Sequence, residues 1–175
     1  MVEYTGFLPQ PTPETQPYFD ALKNHTLIIQ RCNACARAYF YPRPFCPDCF
    51  SFDTEWFEAS GKGTLYSFVI NYRPPPGFGA EPYVIAVVEL EEGPRMMTNL
   101  VGVEPDPERI SCDAPVEIVY DDVTGDVTLP RFRLVVTTED MLPKPRNSGE
   151  PGHSGEPRHS GDLRHSGEGG NPEGA

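Results

Sequence analysis

The sequence predicts a mainly β protein with a short N-terminal helix, a four-cysteine ribbon, a small five-stranded barrel and a disordered C-terminal tail. Three observations predict it. Four of the five cysteines fall in two C-x2-C pairs, Cys32/Cys35 and Cys46/Cys49. Five runs rich in β-branched and aromatic residues follow, parted by proline and glycine turn signals. From Pro143 onward apolar residues almost vanish. The expected divisions are an arm and helix over 1–26, a ribbon over 27–60, a barrel over 61–142 and a tail over 143–175.

The arm is extended, with Pro9, Pro11 and Pro13. A helix is expected from Glu14 to Asn24, capped by Thr12 with Pro13 in its first turn. Tyr18, Phe19 and Leu22 then share one face at helical spacing. Thr26–Gln30 reads as a strand entering the first cysteine pair, and Asp53–Ser60 as the strand leaving the second. Gly61 and Gly63 mark a bend or bulge. The five further strands are expected at Thr64–Tyr72, Tyr83–Leu90, Arg95–Gly102, Ala114–Asp121 and Thr128–Val136. Their spacing fits a Greek-key barrel of the OB type; a generic β-sandwich or an open sheet are the alternatives. The tail repeats a histidine setting at His153, His159 and His165. So polar a segment cannot bury enough surface to offset the entropy of ordering. A solvated tail is the simpler reading of it than a metal-binding one.

Charge and composition exclude several classes. The net charge is −12, and residues before Pro143 hold ten basic against 21 acidic side chains. Nucleic-acid affinity rests on neutralising phosphates, so a body this acidic is a poor polyanion binder. No stretch approaches the roughly 18 apolar residues of a membrane span, and the first residues do not read as a signal peptide. The expectation is a cytoplasmic protein, where paired cysteines more often bind metal than form disulfides.

Two C-x2-C pairs can each offer two sulfurs from a tight knuckle and together complete a tetrahedron around one ion. Cys32, Cys35, Cys46 and Cys49 are therefore the candidate ligands of a structural Zn2+, with iron as a substitute that thiolates also suit. A thioredoxin-like dithiol would need a βαβ context, which the flanking strands do not supply. A closed four-sulfur site leaves no position for water or substrate. Little catalytic machinery then remains. No GxSxG, HExxH, P-loop or GxGxxG motif is present, and Cys112 reads as a small buried residue.

The order of features is informative. A short helix leads into "LIIQRCNAC" and "YFYPRPFCPDC", then "GKGTLYSF", "PYVIAVVELEEGPRMMTNLVG", "APVEIVYDDV" and "LPRFR". Over roughly residues 15–136 this resembles the family that pairs a rubredoxin-like zinc ribbon with an acyl-CoA-associated OB-fold. The resemblance implies a non-catalytic accessory subunit of a thiolase-superfamily enzyme: a thiolase, an acyltransferase or a steroid side-chain aldolase. Such a subunit helps form an acyl-CoA channel or binding surface, and some relatives work beside an enoyl-CoA hydratase. The chain departs from the pattern where glycine commonly follows each knuckle's second cysteine. Ala36 and Phe50 stand there, at positions expected to turn with positive φ. A further glycine expected before the "PVEI" strand is replaced around Ser111-Cys112-Asp113.

Phosphates of a CoA ester call for cations, and Arg37, Arg43, Lys62 and Arg73 are the candidates. Tyr39, Tyr41 and Phe45 between the knuckles, and Phe78 at the tip of the Pro-rich loop, are the candidate partner contacts. The competing class is a stand-alone nucleic-acid-binding module, since ribbons and OB-folds both take single strands. It needs a basic groove, and the charge here is opposite.

Overall fold

The computed structural model describes residues 6–75 and 78–135; the expected tail, with its histidine repeat, lies outside them. The elements in order are α1 (Gln16–Lys23), β1 (Ile28–Cys32), β2 (Ala38–Tyr39), β3 (Thr54–Glu58), β4 (Lys62–Asn71), β5 (Tyr83–Leu90), β6 (Arg95–Leu100), β7 (Pro115–Asp122) and β8 (Thr128–Leu134).

The helix is shorter than expected. Thr12 and Thr15 bond to each other, Thr12 N–H donating to Thr15 Oγ1 at 2.8 Å. That closes a turn ahead of the helix, so Thr15 becomes the N-cap. Tyr18 and Leu22, one helical turn apart, are the buried pair. The helix ends in a Schellman turn. His25 N–H donates to Leu22 C=O and Thr26 N–H to Ala21 C=O. His25 takes the left-handed position, φ 54°, that glycine usually fills.

The ribbon is a three-stranded antiparallel sheet in the order β2-β1-β3. Its middle strand starts and ends two residues later than expected, because pairing with β3 runs through Cys32 itself, opposite Thr54. The two-residue β2 was not legible in the aromatic run between the knuckles.

The second sheet is a closed barrel in the order β4-β5-β6-β8-β7. Four pairings are antiparallel; β6 and β8 run parallel at Leu100 and Phe132. This is the OB arrangement, and it replaces the sandwich and open-sheet alternatives. Closure needs β4 to serve two neighbours, β5 along its length and β7 at its start. A bulge at Tyr66, between Leu65 and Ser67, gives β4 the required bend. Gly63 sits where β4 crosses between them. A Cβ there would lie 2.3 Å from the Glu89 carbonyl oxygen, so the position has no room for a side chain. Asp113, in the stretch lacking the expected glycine, has φ 63° and donates its N–H to Leu65 C=O at 2.8 Å. Cys112 beside it is exposed, not buried as expected; the turn carries it outward.

One apolar core runs through helix, ribbon base and barrel. Tyr18, Leu22, Leu27 and Ile29 cluster with Leu65, Val84, Val88, Val116 and Phe132. The ribbon's metal end holds a separate cluster of only Cys32, Tyr39 and Cys46. The base of the ribbon is thus fixed by hydrophobic burial, and its tip has almost none.

Candidate metal centre and interaction surfaces

The two knuckles are built alike. In the first, Cys32 N–H donates to Arg37 C=O at 2.9 Å and Ala36 N–H to Cys32 C=O at 2.8 Å. In the second, Cys46 N–H donates to Ser51 C=O at 2.9 Å and Phe50 N–H to Cys46 C=O at 3.0 Å. Ala36 and Phe50 both take positive φ, 61° and 60°. The resembled family's pattern implies a positive-φ turn at these two positions, and the backbone makes it although neither residue is glycine.

These turns bring Cys32, Cys35, Cys46 and Cys49 together, with all four sulfurs within 4.8 Å of one another. Cys32 and Cys49 are 3.5 Å apart and Cys35 and Cys46 3.7 Å. Zn–S bonds of about 2.3 Å set a tetrahedral S···S edge of about 3.8 Å. A disulfide needs about 2.05 Å. The sulfurs therefore fit a four-coordinate metal ion and are too far apart to be bonded. Each pair across the site takes one cysteine from each knuckle, so an ion here would tie β1 to the segment leading into β3. Cys32 and Cys46 are buried; Cys35 and Cys49 are exposed.

The thiols press on one another's ionisation. Burial raises the Cys32 thiol, but amides of Cys35 and Ala34 and the Cys49 thiol outweigh it and hold Cys32 at about 7. At Cys49 the Ser51 amide lowers the value, yet the neighbouring cysteines and burial push it up to about 12. A dication between the sulfurs relieves that competition, since thiolate is the ligating form.

The candidate contact residues separate. Tyr39 is 4% exposed and lies in the metal-end cluster with its hydroxyl toward Arg43 C=O. It packs the ribbon and is not a surface anchor. Tyr41 is exposed and meets Tyr18 edge-on at 6.1 Å. Phe45 is half-buried and lies against Phe50 and Phe52 at 6.3 and 5.9 Å. Phe50 and Phe52 are 69% and 77% exposed, so the second knuckle carries an open aromatic trio. Phe78 lies against Phe7 at 5.7 Å and Tyr83 at 6.2 Å.

Among the cations, Arg37 is held by Asp48 at 2.8 Å. Within the described residues, Arg43, Lys62 and Arg73 make no carboxylate contact within 4.0 Å. Lys62 opens β4 and Arg73 follows its end. At about 3.3 Å per residue they stand on the order of 30 Å apart. One diphosphate therefore cannot take both.

Sequence reasoning did not find the pairing of His25 with Asp122, which stitches the helix end to the barrel. His25 Nε2 is 3.0 Å from Asp122 Oδ2, and its ring stacks on Tyr120 at 5.0 Å. Thr128 Oγ1 donates to Asp122 Oδ1 at 2.6 Å. These residues are 97 positions apart, and no local pattern could have joined them. No helix among the described residues is long and apolar enough to cross a membrane.

Two family descriptions match consecutive parts of the chain. Residues 19–55 match "ChsH2, rubredoxin-like zinc ribbon domain" and residues 56–121 match "ChsH2, C-terminal OB-fold domain". A "DUF35 domain-containing scaffold protein" of Pyrococcus furiosus is 44% identical over 98 residues, 55% of this chain and 70% of that one. The "Probable enoyl-CoA hydratase alpha subunit" of Thermomonospora curvata is 43% identical over 123 residues, 70% of this chain and 38% of that one. The chain thus spans little more than a third of that longer relative. The "Benzoylsuccinyl-CoA thiolase subunit BbsA" of Thauera aromatica is 32% identical over 88 residues, 50% of this chain and 58% of that one. A solved chain of the "Ltp2-ChsH2(DUF35) aldolase" is 42% identical, with a TM-score of 0.66, over 74% of this chain and all of that one.

Proposed function

We infer the function of this chain from its family: it belongs to the proteins that join a ChsH2-type zinc ribbon to a C-terminal OB-fold, the DUF35 scaffold proteins among them. From that premise we propose a non-catalytic, zinc-containing accessory subunit. It assembles with a thiolase-like enzyme, whether thiolase, acyltransferase or steroid side-chain aldolase, and helps form its acyl-CoA binding surface or channel. The single observation that carries this reading is the likeness of 74% of this chain to the whole of the solved chain from the Ltp2-ChsH2(DUF35) aldolase. The thiolase subunit and the hydratase alpha subunit among the relatives support the same substrate class, CoA esters. An enoyl-CoA hydratase is a further partner this reading allows.

The metal of the four-cysteine centre is zinc in this proposal, with iron as an isolation-dependent substitute. Its role is to hold the ribbon tip, not to react, since four thiolates close its coordination. Of the candidate cations, Arg43, Lys62 and Arg73 have no carboxylate partner among the described residues and would meet a CoA phosphate directly; Arg37 would first have to leave Asp48.

The test is co-expression with a thiolase-like subunit from the same source, followed by an assay of acyl-CoA cleavage or condensation. Activity is expected only when both chains are present. A catalytic subunit that is soluble and equally active without this chain would overturn the reading.

A further inference from the structure

Strand β5 is apolar on both of its faces from Tyr83 to Val88. Val84, Ala86, Val88 and Leu90 point into the barrel and are buried. The alternate residues Tyr83, Ile85, Val87 and Glu89 point outward, the first three apolar. Strand register sets them in rows with their neighbours: Val69, Ile85 and Asn99 in one, Ser67, Val87 and Met97 in the next. Val69 is 57% exposed and Met97 73%. An antiparallel sheet with one face in water alternates apolar and polar residues, whereas a strand apolar on both faces is one covered on both.

The ends of this face are finished differently. At one end Phe7 lies tilted against Phe78, which stacks on Tyr83. At the other, Arg95 and Glu89 neutralise each other at 2.7 Å, and the Arg95 guanidinium lies over the Tyr66 ring at 3.4 Å. Between them runs a groove of about 320 Å³ floored by Ile85, Met97, Thr98 and Asn99. The polar groups of that floor are already used. Thr98 Oγ1 donates to Pro130 C=O, Asn99 Nδ2 donates to Val84 C=O, and Asn99 Oδ1 accepts from Arg131. The floor asks for no polar ligand.

We propose that this outer β5–β6 face is a docking surface, and that its occupant is an uncharged apolar patch on the thiolase-like subunit. The proposal rests on the function inferred above. In barrel order β5 and β6 are the second and third strands, the face on which OB-folds take their ligands. Charge selects the occupant. A nucleic acid or an anionic membrane needs unpaired cations, and the described residues of this face supply none. A second copy would set two strongly acidic bodies against each other. A neutral surface of a different protein meets neither penalty and buries the exposed rows.

The experiment uses the full chain, tagged and co-expressed with the thiolase-like subunit. Three forms are compared: the natural chain, Val69→Glu/Met97→Glu, and Phe50→Ser/Phe52→Ser as an exposed-aromatic control on the ribbon. Melting temperature and metal content establish that each is folded; both altered positions of the barrel variant are solvent-facing. The barrel variant is expected to retain at least about tenfold less partner, as for loss of an interface anchor, while the ribbon control retains it. If the natural chain retains no thiolase-like subunit, the proposed function itself fails. If it does and Val69→Glu/Met97→Glu retains it equally, only this docking face is overturned. A dimer of the chain alone in sedimentation, broken by Val69→Glu/Met97→Glu, would assign the face to a second copy and overturn the proposal too.

Discussion

Ala36 and Phe50 occupy equivalent places in the two metal knuckles, each donating its amide to the cysteine four residues before it from a left-handed backbone. That conformation costs a residue with a Cβ roughly 1–2 kcal/mol, and both positions would be cheaper as glycine. Part of that gain is returned in the unfolded chain, where glycine loses more entropy on folding. Ala36→Gly is expected to raise the stability of the metal-loaded protein by up to about 1 kcal/mol, read as a higher melting temperature. A lower one would mean that the first knuckle is not strained. Phe50 is the less economical case, since a large exposed aromatic stands at the strained position.

Metal removal should act at one end of the molecule first. The metal-end cluster contains only Cys32, Tyr39 and Cys46, too little burial to hold the tip. A structural metal can contribute on the order of 10 kcal/mol to such a segment. Trp56, the single tryptophan, lies on β3 within the ribbon and packs against the shared core. Chelation is expected to open the tip to protease between Cys32 and Phe52 while Trp56 emission, set by the shared core, stays nearly unchanged. Unchanged cleavage would show that the tip does not depend on an ion.

Gly63→Ala tests barrel closure. The new methyl would meet the Glu89 carbonyl oxygen at 2.3 Å, and that oxygen is backbone that cannot swing aside. The expected loss is about 1–3 kcal/mol, with the ribbon's metal content unchanged. Gly125→Ala is the control: like Gly63 it lies outside the positive-φ region, but nothing lies within 4 Å of the added methyl. A loss at Gly63 no larger than at Gly125 would show that closure does not depend on the missing side chain.

Asp122 gives a pH dependence. Its carboxyl is held below the usual aspartate range by the Thr128 hydroxyl first and by His25 second. A group depressed on folding contributes stability that is present above its unfolded pKa and is lost as pH falls through its folded one. The unfolded value is near 3.9, so the window lies below about pH 4. The natural chain should melt higher than Asp122→Asn at pH 6, and the difference should close on acidification toward pH 3. A constant difference across that range would mean that the carboxylate charge has no part in it.

The sequence by itself determined the four-cysteine centre and the order of every element but the two-residue β2. Cysteine spacing names four ligands because a knuckle is a local structure. Strand runs are legible because alternation and turn residues are local too, and Tyr83–Leu90 was read at its true bounds. The positive φ of Ala36 and Phe50 was implied by the family resemblance, in which glycine commonly stands behind each knuckle's second cysteine. What the sequence left open were matters of long-range pairing. Barrel closure depends on β4 meeting both β5 and β7, and on the parallel contact of Leu100 with Phe132. Tyr39 and Phe50 are both aromatics beside cysteines, yet one is buried and the other open, because β2 pairs with β1 and turns Tyr39 inward. The outward rows that hold Val69 with Ile85 and Val87 with Met97 had a trace in the doubly apolar run "YVIAVV". Only strand register showed that those side chains share one face, because burial is set by which strand lies beside which, and no single strand carries that information.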